Sequence, residues 1–120
     1  IYKFGTYAVR AKEEAEANLL VEHAKVLEAA GCFAIVLEKI PASLGALVAQ
    51  QVRIPIIGIG AGAGVDGQVL VMHDLLGITK NFSPRFLRRY LDLHSAILNA
   101  TKQYIQDVKQ LDFPNNEEQY

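Results

Sequence analysis

The sequence contains a single cysteine, Cys32, and so cannot hold an internal disulfide framework; that usage fits a reducing compartment. Cys32 runs directly into an apolar stretch, so a packed thiol is expected there rather than a nucleophile. No apolar run approaches the roughly 20 residues of a membrane span, and no signal-peptide pattern opens the chain, so a cytoplasmic location is expected. The triplets Asn81-Phe82-Ser83 and Asn99-Ala100-Thr101 match the glycosylation acceptor but carry no weight without a secretory signal. Charge of one sign is lacking too. A formal net charge of −1 gives no electrostatic reason to bind nucleic acid or an anionic membrane. Gly-x-Ser-x-Gly, Walker and metal-ligand spacings are also absent. The first residue is Ile1 rather than methionine, which suggests a processed or truncated product.

What is present is apolar residues, which make up 51% of 120 residues, enough for the core of one domain. Residues 1–10 read as a loop or short extended piece broken by Gly5. From 11 to 30 the pattern is helical, with Ala17, Leu20, Val21, Ala24 and Leu27 forming a stripe. Glu13, Glu14 and Glu16 suit the positive end of that helix, and Gly31 stops it. Three continuous apolar runs follow, at 33–37, 54–59 and 68–72. Runs without alternation predict strands buried on both faces, as in a parallel sheet. Pro41 opens a helix over 41–51 with Leu44, Leu47 and Val48 on its apolar face. Pro55 is tolerable at the start of its strand. Ser83 and Pro84 predict a cap and first turn for a helix over 84–94. A last helix is expected over 95–110, with Ile97, Thr101, Tyr104, Ile105 and Val108 on one face. The tail 112–120 is polar and expected to be loose or docked on a neighbour. Helix and strand in alternation give an α/β class with βα units.

Each strand ends in residues with chemical potential. The first closes on Glu38, and α/β folds place their active sites at the carboxyl ends of strands. The second runs into Gly60-Ala61-Gly62-Ala63-Gly64. Residues 62–67 formally match G-x-G-x-x-G, but a strand rather than a helix follows, which excludes a dinucleotide fingerprint. The loop then either brings backbone N–H groups to an anion or only permits tight packing. The third strand closes on His73-Asp74. Neighbours on a strand point to opposite faces, so His73 is expected to bond loop backbone rather than pair with Asp74. His23 and His94 have no partner at useful spacing. Arg85, Arg88 and Arg89 are expected to form a solvated helix face rather than an anion site.

Taken together, these pieces resemble the ketopantoate hydroxymethyltransferase family. The resemblance is carried by Leu27-Glu28-Ala29-Ala30-Gly31, by Ile35-Val36-Leu37-Glu38-Lys39-Ile40-Pro41, by the run from Ile54 to Gly62, and by the run from Asp66 to Gly77. Tyr7-Ala8-Val9-Arg10 and Phe113-Pro114 also fit. The similarity is collinear over almost the whole chain, and the run from Ile56 to Asp74 is its most specific part.

The resemblance implies a (β/α)8 TIM barrel of the phosphoenolpyruvate/pyruvate type, roughly twice this length, of which residues 1–120 supply the last three βα units and the C-terminal helices. It implies hydroxymethyl transfer from 5,10-methylenetetrahydrofolate to 3-methyl-2-oxobutanoate, giving 2-dehydropantoate. Glu38 would be the proton acceptor at C3 of the keto acid, a task that suits a carboxylate in a partly buried position. Mg²⁺ would polarise the keto acid, with its ligands in the part of the family not matched here, together with most substrate contacts. By strand alternation Lys39 would point away from the barrel interior. Three strands cannot close a barrel, so partners are expected in the remaining portion or in neighbouring subunits of a homo-oligomer, and the chain alone is expected to be inactive. Other Mg²⁺-dependent enolate enzymes of the same barrel type are a nearby alternative. A non-catalytic α/β module holding a phosphate at its glycine loop is a more distant one.

Overall fold

The computed structural model describes Ala11 and residues 13–120, so the extended piece expected over 1–10, including Tyr7-Ala8-Val9-Arg10, lies outside the described residues. The chain divides into two compact units, Ile1–Leu70 and Val71–Tyr120.

The first unit is a mixed α/β layer arrangement. Helix α1 spans Glu14–Ala29 and ends as its sequence dictates: Gly31 takes a φ of 92°, the left-handed conformation that costs other residues a clash at Cβ. The N–H of Cys32 then reaches the carbonyl of Leu27 and the N–H of Gly31 that of Glu28, a complete Schellman closure. Strand β1 (Ile35–Glu38), helix α2 (Ala42–Gln51), strand β2 (Ile56–Ile59) and strand β3 (Gly67–Gln68) follow. The sheet is parallel in the order β1-β2-β3, with Ile35 opposite Ile56 and Glu38 opposite Ile59.

The core lies between this sheet and its helices. Ile35, Leu37 and Ile56 meet Ala24 of α1 and Leu44 and Val48 of α2, with Ala17, Leu20 and Val21 packed against them. Ile56 and Val48 are fully buried, and each such side chain contributes roughly 1.5–3 kcal/mol through removal from water. Leu27 and Leu47, expected on the apolar faces of their helices, stay exposed. Two carboxylates complete the backbone accounting of the turns. Glu28 Oε1 accepts from the N–H groups of Arg53 and Ile54, and Asp66 Oδ2 accepts from the N–H of Ile56 at 2.8 Å.

The strand expected over 68–72 is corrected. Pairing with β2 ends after Gln68 and one further bond from the N–H of Val69 to the carbonyl of Gly58. Val71 then caps a short helix α3 (Met72–Leu75). An extended strand needs neighbours for its polar edge and its faces. Among the described residues β3 pairs with β2 alone, and Val69 and Val71 are exposed.

In the second unit, the helix expected over 84–94 does not form. Its N–H donors are drawn to other carbonyls: Tyr90 to Leu75, Leu93 to Leu76, His94 to Gly77. Arg89 Nη2 donates to the carbonyls of Thr79, Lys80 and Phe82, tying this strap to the preceding loop. Arg89 is therefore a structural clamp, not part of a solvated helix face, while Arg85 and Arg88 are exposed on irregular backbone.

Helix α4 (Leu93–Gln110) begins instead where Asp92 caps it, accepting from the N–H and the hydroxyl of Ser95. Those bonds from Ser95, with Lys80 and His94 nearby, hold the Asp92 carboxyl below the usual aspartate value. A group shifted this way contributes stability above its unfolded pKa, about 3.9, and loses it as pH falls through the folded value. Wild-type protein is therefore expected to lose more α4 helicity below that pH than Asp92→Asn, whose cap does not titrate. Circular dichroism from pH 6 to pH 2 measures this, and parallel curves would count against it. The effect is small because the cap is open to solvent.

The start of the tail meets α4, while residues 115–120 are exposed. The Phe113 ring meets Tyr104 edge-on at 5.4 Å, and Asn115 and Glu118 close a turn. The face of α4 carrying Ile97, Tyr104, Ile105 and Val108 is exposed, and no helix among the described residues is long and apolar enough to cross a membrane.

Candidate functional site

Glu38 is the last residue of β1, at the carboxyl end of the sheet. Alternation along β1 buries Ile35 and Leu37 toward the helices and leaves Val36 and Glu38 on the opposite face. The parallel register puts Ile57 beside Val36 and Ile59 beside Glu38 on that face, with Gly67 beyond Ile57. The candidate base thus stands at the rim of an apolar surface made by two adjacent strands. Glu38 is exposed rather than partly buried, and Val36 below it is 63% exposed. The expected burial is absent because the helices of this unit cover only the other face of the sheet.

The connection out of β1 is tight. Lys39 takes a φ of 51°, Ile40 is buried, and Pro41 caps α2, its carbonyl accepting from the N–H groups of Leu44 and Gly45. The N–H of Lys39 donates to the carbonyl of Ile59 at 2.9 Å, continuing the ladder one residue past Glu38.

The glycine loop after β2 packs against α2. A Cβ on Gly62 would collide with Ala42, one on Gly64 would lie 2.7 Å from the Cβ of Ala46, and one on Gly45 would fall on the carbonyl oxygen of Ala61. Gln68 Nε2 closes the loop with a 2.8 Å bond to the carbonyl of Gly62. Of the two roles open from the sequence, this is the packing one, and the phosphate-binding module gains no support. Gly45→Ala provides a check with an unusual sign. In an open helix that change stabilises by about 1 kcal/mol through propensity, whereas here the methyl must displace backbone, an overpacking that costs roughly 1–3 kcal/mol. A fall in Tm is expected on thermal melting, and a rise would contradict the packing.

His73 and Asp74 sit in α3, not at the end of a strand. His73 engages the loop through its main-chain carbonyl, which accepts from the N–H of Ile78 at 2.8 Å, while the Asp74 carbonyl accepts from Gly77. His94 Nδ1 lies 3.3 Å from the carbonyl of Ile78. Cys32 is partly buried. Among the described residues no three His, Cys, Asp or Glu side chains come together to hold a metal ion. The described residues therefore do not by themselves make up a Mg²⁺ site.

Sequence reasoning placed Glu38 at a strand end and missed the anchoring carboxylates Glu28 and Asp66. Both lie beside β2, and their role depends on backbone N–H groups that no side-chain pattern marks.

Comparison with known proteins adds an independent observation. A family model described as ketopantoate hydroxymethyltransferase matches residues 1–116. A protein of Porphyromonas gingivalis named 3-methyl-2-oxobutanoate hydroxymethyltransferase is 68% identical over all 120 residues, which cover 44% of its own length. Proteins of the same name from Parabacteroides distasonis and Flavobacterium johnsoniae are 67% and 63% identical over the same span. The chain thus spans less than half the length of the curated relatives it matches.

Proposed function

The chain belongs to the ketopantoate hydroxymethyltransferase family, and from that membership we propose that it supplies the proton-accepting segment of an enzyme that forms 2-dehydropantoate. The reaction joins 3-methyl-2-oxobutanoate to the one-carbon unit of 5,10-methylenetetrahydrofolate. The observation that carries the reading is the placement of Glu38 at the carboxyl end of a parallel strand, within a chain 60–68% identical to enzymes of that name.

In this reading the Glu38 carboxylate takes the proton from C3 of the keto acid, and the electron pair of the broken C–H bond passes into the enolate. Enolate carbon C3 then bonds to the donated carbon while both carbon–nitrogen bonds of the methylene bridge break. Water supplies the hydroxyl oxygen, and the C3 proton and one proton of that water end on the two folate nitrogens, leaving tetrahydrofolate. Ile59, opposite Glu38 in the register, and Val36 and Ile57 on the same face present an apolar wall suited to the branched methyl groups of the substrate. The order β1-β2-β3 is what consecutive strands of a TIM barrel give, and the exposed face with Glu38 is the barrel interior, closed by residues outside this chain. Burial of the base, the Mg²⁺ site and most substrate contacts come from that remaining portion, in a cytoplasmic homo-oligomer.

The test is a chimera in which this chain replaces the matched 120 residues of the Porphyromonas gingivalis relative. Folate-dependent formation of 2-dehydropantoate supports the proposal. A folded chimera without turnover, beside an active parent, would reject it.

A further inference from the structure

The residue after the base departs from ordinary backbone. Lys39 has a φ of 51°, a left-handed conformation that few non-glycine residues adopt and that must be held in place by its surroundings. Its surroundings do hold it. Its N–H is bonded to the carbonyl of Ile59, and Ile40 immediately after it is buried in the core. Only residues 39–41 separate the end of β1 from the start of α2.

This conformation changes the parity of the strand. Continued alternation would put residue 39 on the side of Ile35 and Leu37, driving a lysine into the core. The left-handed turn instead brings Ile40 inward and leaves Lys39 half-exposed. It also ends the extended chain at Glu38, so the carboxylate stands at the rim and not one layer deeper. We propose that Lys39 is a positioning residue, acting through its left-handed backbone to fix where the Glu38 carboxylate meets the substrate. The proposal rests on Glu38 being the base.

The role belongs to the backbone, so activity should follow the ease of the left-handed conformation and not the lysine charge. The same chimera, carrying Lys39→Gly, Lys39→Asn, Lys39→Ala or Lys39→Val, tests this, with folding checked by circular dichroism. Glycine and asparagine enter the conformation readily, alanine less so, and a β-branched valine is a genuine outlier there. The Gly and Asn variants are expected to keep a kcat close to wild type. Ala should fall between, and Val should lose about 10²-fold in kcat, the scale of a misplaced reacting group. KM should change little, since the loss is in the transition state. If Val does not fold, the Ala variant against Gly carries the comparison. Equal kcat values across the four variants, or a Gly variant as impaired as Val, would overturn the proposal. Glu38→Gln in parallel separates the two ideas: full activity there removes the base assignment itself.

Discussion

Glu38→Gln in the completed enzyme is expected to lower kcat by about 10²–10⁴-fold, the usual contribution of a positioned general base. That range corresponds to roughly 3–5.5 kcal/mol of transition-state stabilisation. Glutamine preserves size and shape but cannot accept the C3 proton, so KM should stay near wild type while kcat falls. The fold should be unaffected, because glutamine keeps the size and shape of glutamate and Glu38 does not belong to the core cluster. Steady-state kinetics with thermal melting checks both parts. A kcat within a few-fold of wild type would mean that the proton leaves by another route.

The second large effect concerns completeness. The isolated chain is expected to show no detectable turnover, and activity should appear when the remaining portion is supplied. Glu38, the proposed base, stands at its strand end, but it and Val36 on the same face are exposed, and among the described residues no three His, Cys, Asp or Glu side chains come together to hold a metal ion. General acid–base chemistry is weak in an exposed site, where water screens charge and the substrate is not held. The chain covers 44% of the Porphyromonas gingivalis relative, so more than half of that protein's residues have no counterpart here. Activity from the purified 120-residue chain, at a rate comparable to the chimera, would refute this.

The sequence made some of this structure legible and hid the rest for identifiable reasons. Strands β1 and β2 could be read because their apolar runs are continuous, and Gly31 because only one conformation closes α1 so tightly. The run at 68–72 has the same composition, yet it leaves the sheet after Gln68, since strand formation depends on partners as well as propensity. The strap at 84–92 reads as a helix from Ser83-Pro84, but the N–H of Tyr90 and the Arg89 side chain are committed to distant carbonyls. Asp92, three residues before its bonded Ser95, was the real helix signal. At the site, the placement of Glu38 at a strand end was visible. Its exposure was not, because alternation tells which face a side chain takes and not whether anything covers that face.

The most direct measurement separates proton abstraction from carbon–carbon bond formation. The chimera, incubated in D₂O with 3-methyl-2-oxobutanoate and no folate donor, is followed by NMR for loss of the C3 proton signal. The account predicts enzyme-dependent exchange at C3 with Glu38 present and none above background with Glu38→Gln. Exchange that persists at the wild-type rate in the Gln variant would contradict the assignment of the base to this chain.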